Sequence, residues 1–372
     1  MQSRFLALAL LAAIPACSSS SPPAVGPVDS APPAPIVPEC DGVVVAMDAS
    51  SAVLATDGTG VFVLTMAANG HKIVSQIEGG ALQQVADVPS DAPDSAYYDP
   101  PPQLVADADR FYVTTRQTTT GFIAAADRHD GGVTILTSQL GVGYIPSPTF
   151  ASDGTYLYFE STLVANQQIT IARVPVTGGV TEMVAGPYPP YGTFAVDGAH
   201  LYVLGPFMPG HEAENALNLT THPTPPPDGG DEYNNGVQYE LGACTRPGML
   251  VPIDGGVLAA CTVDGGAPAS IYALSTAPSA AFPVNGTRVV DGEGLDALTY
   301  VVVDGNVYYD TSGLAPGDAG ATGQPFVYKT PLSNPKGLQP QALLRTKLVS
   351  SMVAAGGELY VASACGIQKT AL

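Results

Sequence analysis

Clusters of residues with catalytic or metal-binding chemistry are few in this sequence, and they form no known motif. His211 stands beside two carboxylates in the run His211-Glu212-Ala213-Glu214, a set that could bind a metal ion. The segment Asp228-Gly229-Gly230-Asp231-Glu232 offers oxygen ligands for calcium but lacks the spacing of an EF-hand loop. No nucleophile elbow, P-loop or HExxH motif occurs. We therefore predict no catalytic residue, no metal site and no cofactor, with calcium at the acidic segment as the alternative.

Tyrosines beside prolines are the stronger candidates, and they point to binding. A tyrosine offers a large contact area and a polar tip at little cost in rotamer entropy, and a neighbouring proline stiffens its loop. Such pairs occur in three successive segments, and two aspartates nearby would suit a basic or polyhydroxylated ligand. The alternative is that these rings pack between neighbouring repeats and pin the loops. The predicted binding residues are Asp94, Tyr97, Tyr98, Asp99, Tyr144, Tyr188 and Tyr191.

The elements that would position these loops are degenerate repeats of about 50 residues each. The clearest copy, Thr149 to Val184, has near-alternating apolar residues and turn residues typical of four short strands. A turn rich in Asp and Gly followed by a large apolar residue recurs seven times, at Phe62, Tyr112, Tyr158, Tyr202, Leu258, Tyr308 and Tyr360. This pattern predicts an all-β fold, a seven-bladed β-propeller. A six- or eight-bladed propeller and a β-sandwich are the alternatives.

Ring closure is predicted to involve the N-terminus of the domain. The last repeat, Ser351 to Leu372, supplies three strands, and Gly42 to Met47 reads as the missing fourth. Gly42-Val43 corresponds to Gly179-Val180 of the clearest copy. The N-terminal strand would then complete the last blade and cover an edge that invites aggregation.

The first 39 residues have the composition of an export signal and a tether. Met1 to Ala16 combines Arg4 with the apolar run FLALALLAAI, which is too short to span a bilayer. Residues 17–39 are rich in Ser and Pro and predict a semi-rigid tether that could reach about 60 Å, at roughly 3 Å per residue. The folded domain is predicted over residues 40–372. An ordinary signal peptide followed by a disordered tail is the alternative.

The run Ile14-Pro15-Ala16-Cys17 resembles the processing box of bacterial lipoproteins. The resemblance implies that diacylglycerol is attached to the sulfur of Cys17, that the chain is cleaved before it, and that the new amine is acylated. Ser18 is compatible with sorting to an outer membrane. The repeats from Cys40 to Leu372 resemble those of propeller lipoproteins among secreted bacterial proteins. We therefore expect an exported lipoprotein anchored at an outer membrane, in the periplasm or at the cell surface.

Four further cysteines, an even number, permit two disulfides in an exported chain. Cys244 and Cys261 flank a predicted hairpin and are the natural local pair, which leaves Cys40 for Cys365. The predicted closing register conflicts with that second bridge. It places Cys40 and Cys365 at opposite ends of one strand, roughly 20 Å apart, whereas a disulfide needs Cα atoms within about 7 Å. Free buried thiols are the alternative.

The charge balance excludes one class of partner. The chain has 13 Lys and Arg against 33 Asp and Glu, a net charge of −20, so it lacks the basic surface that nucleic-acid binding needs. We expect a monomer that contacts the membrane through its lipid and binds an unknown protein or small molecule as a rigid scaffold. The binding surface is predicted on one face, where long loops and Tyr-Pro segments emerge. The alternatives are a hydrolase or lyase with carboxylates at the propeller axis, and a structural surface protein.

Overall fold

A computed structural model of the chain contains β-strands as its regular secondary structure. The chain divides into two units, Met1–Pro38 and Glu39–Leu372, and every strand belongs to the second. At some positions inside strands the structure describes the backbone alone. It describes residues 40–47, 49–90, 103–117, 120–140, 150–161, 169–188, 193–197, 200–206, 215–221, 237–240, 244–254, 256–263, 270–275, 287–290, 299–310, 326–333, 340–346 and 348–372. Within these ranges no helix is long and apolar enough to cross a membrane.

The first half of the domain forms four-stranded antiparallel sheets in chain order, after a short strand β1 (Val43–Val45). The first sheet holds β2 (Val53–Thr56), β3 (Val61–Met66), β4 (Lys72–Glu78) and β5 (Ala81–Val88). The second holds β6 (Leu104–Ala106), β7 (Arg110–Gln117), β8 (Thr120–Asp127) and β9 (Val133–Leu140). The third holds β10 (Phe150–Ser152), β11 (Tyr156–Ser161), β12 (Ile169–Pro175) and β13 (Glu182–Tyr188).

The second half repeats the same arrangement. The fourth sheet holds β14 (Thr193–Val196), β15 (His200–Pro206), β16 (Asn215–Thr221) and β17 (Val237–Glu240). The fifth holds β18 (Cys244–Ile253), β19 (Gly256–Val263), β20 (Ser270–Ser275) and β21 (Thr287–Val290). The sixth holds β22 (Tyr300–Val303), β23 (Asn306–Asp310), β24 (Phe326–Pro331) and β25 (Gln341–Arg345). The last holds β26 (Ser351–Ala355), β27 (Glu358–Ser363) and β28 (Gly366–Ala371), with β1 beside β28 as its fourth strand.

Neighbouring sheets touch through their strands, and the last sheet touches the first. First strands of adjacent sheets contact each other at most junctions, and β26 contacts β2. This is the arrangement of a β-propeller, in which each four-stranded sheet is a blade. The predicted all-β propeller fold is confirmed.

The core lies between neighbouring blades because successive side chains of a strand point to opposite faces. In β11, Tyr158 packs with Phe194 and Leu201 of the next blade. Its sequence neighbours Leu157 and Phe159 pack with Tyr112 of the preceding blade. Alternation along each second strand therefore fills the interfaces on both of its sides.

The N-terminal strand completes the last blade, but in a different register from the predicted one. Val43 lies opposite Gln368 and Val45 opposite Ile367, with an irregularity between the two pairs. The predicted alignment would have placed Val45 opposite Lys369. Gln368 is fully buried and reinforces the junction, because its Nε2 donates to the carbonyl oxygens of Asp41 and Arg345.

Cys40 and Cys365 form a disulfide with their Cα atoms 5.8 Å apart. This bridge conflicted with the predicted closing register, and that register was wrong, because it assumed a straight strand through Cys40. The chain reverses at Gly42, whose φ of 60° is a conformation that glycine favours. The Gly42 carbonyl oxygen accepts the Lys369 N–H at 2.9 Å, and the Asp41 N–H donates to the Arg345 carbonyl oxygen at 3.2 Å. The reversal brings Cys40 back to the turn between β27 and β28.

The two edges of the blades carry different connections. At one edge the chain passes from each blade to the next and from second to third strands, and we call this the loop edge. The opposite edge, where first strands lead to second and third to fourth, is called the turn edge. Cys365 lies at the loop edge, so its disulfide partner Cys40 lies there too. Long connections are present at both edges, because residues 222–236 and 276–286 join third to fourth strands at the turn edge. Long connections are therefore not confined to the face on which the binding surface is predicted.

Candidate functional site

The predicted binding residues fall almost entirely outside the described residues. Asp94, Tyr97, Tyr98, Asp99, Tyr144 and Tyr191 are among those that the structure does not describe, as are Cys17 and the two metal candidates at residues 211–214 and 228–232. Tyr188 is the last residue of β13, and its backbone lies opposite Ile169. In chain order, the strand bounds place the three Tyr-Pro segments between a fourth strand and the first strand of the next sheet.

The first of these segments is fixed at both ends by two adjacent threonines of β7. The Thr115 hydroxyl donates to the Pro89 carbonyl oxygen at 2.8 Å, just after β5. The Thr114 hydroxyl accepts the Gln103 N–H at 3.0 Å, just before β6. Both threonine side chains are fully buried. The ends of the connection that carries Tyr97 and Tyr98 are therefore held on the blade.

The cysteines of the fifth blade lie on paired strands. The register places Cys244 opposite Val263 and Cys261 opposite Pro247. Their side chains lie outside the described part of the structure, so the pairing of Cys244 with Cys261 stays a prediction. Of the two predicted bridges, the one between Cys40 and Cys365 is confirmed.

The recurring Asp of the turn edge serves two purposes in one hairpin. Asp107 Oδ1 accepts the N–H groups of Asp109 and Arg110, both at 2.8 Å, which closes the turn. Its Oδ2 accepts the hydroxyl of Tyr112 at 2.7 Å. The same pairing joins Tyr158 to Asp153 and Tyr202 to Asp197, at 3.0 and 2.8 Å. The Asp and the aromatic residue that mark the repeat in the sequence are thus hydrogen-bonded partners.

The first blade has Phe62 in place of this tyrosine. There an arginine, instead of a tyrosine hydroxyl, donates the hydrogen bond to the aspartate of the turn. Arg128 Nη1 donates to Asp57 Oδ2 at 2.7 Å, and its guanidinium lies 4.7 Å from the Phe62 ring centroid. Burial opposes ionisation of Asp57, but the N–H groups of Gly60 and Thr59 together with Arg128 outweigh it. The pKa of Asp57 therefore lies below its usual value, and the carboxylate stays charged.

The innermost strands carry little chemistry. The described first strands β2, β6, β10, β14, β18, β22 and β26 contain no Asp, Glu or His, and Arg246 in β18 is their one charged residue. Across the described part of the chain, no three His, Cys, Asp or Glu residues are placed to hold a metal ion. The strands at the axis therefore do not supply the carboxylates that the enzyme alternative requires.

Sequence reasoning missed the buried carboxyl group of Glu160 in β11. The residue is 2% exposed, and its Oε2 has no hydrogen-bond partner among the residues that the structure describes. Burial raises its pKa well above the usual value. Glu160 lies two residues after the recurring aromatic residue of its repeat. The equivalent position holds Leu64 in β3 and Asp310 in β23, and Asp310 is also buried. The one signal in the sequence was a charge at a position that is apolar in another repeat.

Comparison with known proteins supports the fold alone. No protein-family model and no curated protein matches this sequence. Hydrazine synthase of Kuenenia stuttgartiensis is similar in structure, with a TM-score of 0.55, 11% identity, and coverage of 89% of this chain and 98% of that one. A puromycin-hydrolyzing peptidase of Mycobacterium tuberculosis has a TM-score of 0.53 at 13% identity, covering 87% of this chain and 51% of that one. An acylaminoacyl peptidase of Pyrococcus horikoshii has a TM-score of 0.50 at 12% identity, covering 87% and 52%. The chain spans about half the length of both peptidases.

Proposed function

We propose that the protein is an exported, membrane-anchored lipoprotein whose propeller acts as a rigid scaffold for binding a ligand or another protein. The observation that carries the proposal is the double closure of the ring, by β1 and by the disulfide between Cys40 and Cys365. Disulfides persist in oxidising compartments, which supports export. A closed disc loses little conformational entropy on binding, so its rigidity favours affinity.

We further propose a ring of seven blades. Seven four-stranded sheets are formed by the described strands, and β1 supplies the strand that the last one lacks. The first strand of the last sheet, β26, contacts the first strand of the first sheet, β2, which supports a closed ring. The seven repeats in the sequence support the same number.

The binding surface in this proposal is the loop edge, where the three Tyr-Pro segments leave the blades. Thr114 and Thr115 hold the ends of the first segment, so its tyrosines would be presented on a fixed base. Tyrosine and the nearby Asp94 and Asp99 suit a basic or polyhydroxylated ligand.

Anchoring is tested by Cys17→Ser, with Ser19→Ala as the matched control. We expect wild type and Ser19→Ala to remain with membranes and to partition into detergent. Cys17→Ser should appear in soluble fractions, because it cannot carry the lipid. Equal partitioning of all three proteins would exclude the lipid anchor.

Binding is tested with a lysine-rich peptide and a panel of soluble oligosaccharides as calorimetric probes. Tyr98→Ala and Tyr191→Ala should weaken binding of a probe that the wild type binds while leaving the melting temperature nearly unchanged. If each variant instead loses several kcal/mol of stability, about the cost of deleting a buried aromatic, these rings are packed between blades. The loops would then be structural, and the proposed face would be wrong.

A hydrolase is the alternative, and two structurally similar proteins are peptidases. The observation that favours it is Glu160, a buried carboxyl with a raised pKa, which is a property of general acids. Hydrolysis of chromogenic ester or peptide substrates by the purified protein, abolished in Glu160→Gln with the fold intact, would support the enzyme. Activity unchanged in Glu160→Gln would remove Glu160 from that role.

A further inference from the structure

Asp304 and Gly305 form a two-residue turn whose reactive groups are not held. Val303 pairs with Asn306 across the turn, and the two turn residues have φ values of 48° and 71°. Asn306 Nδ2 donates to the backbone carbonyl oxygen of Asp304 at 3.1 Å, which leaves the carboxylate uninvolved. Neither this carboxylate nor the Gly305 N–H makes a hydrogen bond to any residue that the structure describes.

The Asp57–Gly58 pair is different, because both of its corresponding groups are tied. Asp57 Oδ1 accepts the N–H groups of Thr59 and Gly60 at 2.8 and 2.7 Å. The Gly58 N–H donates to the Thr56 hydroxyl at 2.9 Å. The carboxyl carbon and the glycine nitrogen of this pair can meet only after these hydrogen bonds break.

The other described Asp–Gly pairs are held as well. Asp153 Oδ1 accepts the Thr155 N–H at 2.8 Å, and the Gly154 N–H donates to the Ser152 hydroxyl at 3.1 Å. Carboxylate hydrogen bonds also hold two further pairs, through Asp130 to Gly132 N–H and through Asp41 to Arg345 N–H. Among the Asp–Gly pairs that the structure describes, Asp304–Gly305 is therefore the one with both partners unheld.

We propose that Asp304–Gly305 is a site of spontaneous isoaspartate formation. The Gly305 nitrogen attacks the Cγ of the protonated Asp304 carboxyl group, a C–N bond forms, and one water molecule leaves with the carboxyl oxygen and the amide proton. Water then opens the five-membered succinimide ring at either carbonyl. Opening at the backbone carbonyl carbon leaves the chain running through Cγ, as isoaspartate. The net change is an isomerisation, so it needs no oxidant, reductant or enzyme.

The product would disturb the sixth blade in a defined way. Isoaspartate adds one methylene to the backbone of the turn and converts the former backbone carbonyl into a free carboxylate. The two residues of the turn have the length needed to pair Val303 with Asn306. A longer backbone between those two residues would therefore disrupt this pair first. Leu332, whose N–H donates to the Gly305 carbonyl oxygen at 2.8 Å, would lose that contact too.

The test is to incubate the folded wild-type protein under physiological conditions and measure isoaspartate in each Asp–Gly peptide by mass spectrometry. We expect it to accumulate about tenfold faster at Asp304 than at Asp57 or Asp153, a ratio that corresponds to about 1.4 kcal/mol in the barrier. In urea the three rates should become similar, because the difference comes from the folded turns. An equal or slower rate at Asp304 in the folded protein, or a difference that persists in urea, would overturn the proposal.

Two sets of variants test the cause. Asp304→Glu should abolish the product at residue 304, since glutamate cannot form the five-membered ring, and should leave Asp57 unaffected. Thr56→Val and Ser152→Ala each free a glycine N–H and should accelerate the reaction at Asp57 and at Asp153, respectively. Rates unchanged in both of these variants would show that the hydrogen bond of the glycine N–H does not control the reaction.

Discussion

Tyr112 donates its hydroxyl proton to Asp107 Oδ2 over 2.7 Å, across the hairpin that joins β6 to β7. The other oxygen of the same carboxylate caps the turn. One aspartate thus couples the backbone of the turn to a side chain buried between blades. The repetition of this pair in the third and fourth blades explains why Asp and an aromatic residue recur together along the sequence.

Tyr112→Phe should lower the free energy of unfolding by about 1 kcal/mol, the usual net value of a hydrogen bond. The ring itself is tolerated, because Phe62 occupies the same position in the first blade. The matched control is Tyr309→Phe, since the Tyr309 hydroxyl makes no hydrogen bond to a described residue. Denaturant midpoints measure both variants, and equal losses would mean that the pair with Asp107 contributes nothing.

Alkaline pH should destabilise the protein through Tyr158. Burial raises the pKa of Tyr158 to about 12, with Arg173 opposing the rise and Asp153 adding to it. A tyrosine whose pKa is higher in the folded state stabilises the fold below its unfolded pKa, about 10. That stability is lost as the pH rises from about 10 toward about 12. The free energy of unfolding, measured by denaturation at several pH values across this range, should fall less with pH in Tyr158→Phe than in wild type. Identical slopes of free energy against pH would contradict the assignment.

Glu160→Leu should make the protein more stable at neutral pH, by about 1 kcal/mol or more, because a buried polar group without a partner is removed. Leu64 fills the equivalent position in the first blade. Burial raises the pKa of Glu160, so its contribution to stability is present at acid pH and is lost as the pH rises through the folded pKa. The gain should therefore grow with pH. Urea unfolding at several pH values measures it, with Glu78→Leu at an exposed position of β4 as control. A destabilised Glu160→Leu protein would indicate that the carboxyl has a partner.

Cys40→Ser combined with Cys365→Ser should cost about 2 to 5 kcal/mol, since the bridge closes a long loop of the unfolded chain. A reducing agent should lower the melting temperature of the wild type and leave that of the double variant unchanged. Peptide mapping without reduction should recover Cys40 joined to Cys365. Recovery of Cys40 joined to Cys244 or Cys261 would contradict the observed closure.

Gln368→Met should also loosen the closure. The substitution keeps the length of the side chain but leaves the carbonyl oxygens of Asp41 and Arg345 without their donor, at a cost of about 1 to 3 kcal/mol. Gln84→Met, at an exposed position of β5, is the matched control and should change stability little. Hydrogen exchange of the Val43–Val45 amides gives a second measurement, and unchanged protection would show that Gln368 does not hold β1.

The sequence by itself determined the local part of this fold. Hairpins depend on residues a few positions apart, so alternation, Asp-rich turns and the following aromatic residue were enough to predict four-stranded repeats. The count of three strands in the last repeat was enough to predict closure by the N-terminal strand. The same reasoning applied to Tyr97 and Tyr191 predicts a binding face, which the described residues do not test.

The tertiary structure decided what depends on distant contacts. The register of β1 and the bridge between Cys40 and Cys365, 325 residues apart, follow from a reversal at Gly42. That reversal is one positive φ, and it is stabilised by Lys369 and Arg345, which no local pattern connects to it. The burial of Glu160 is equally non-local. Local spacing selects the strands, but a register between segments from the two ends of the domain is set by packing that forms only when the ring closes.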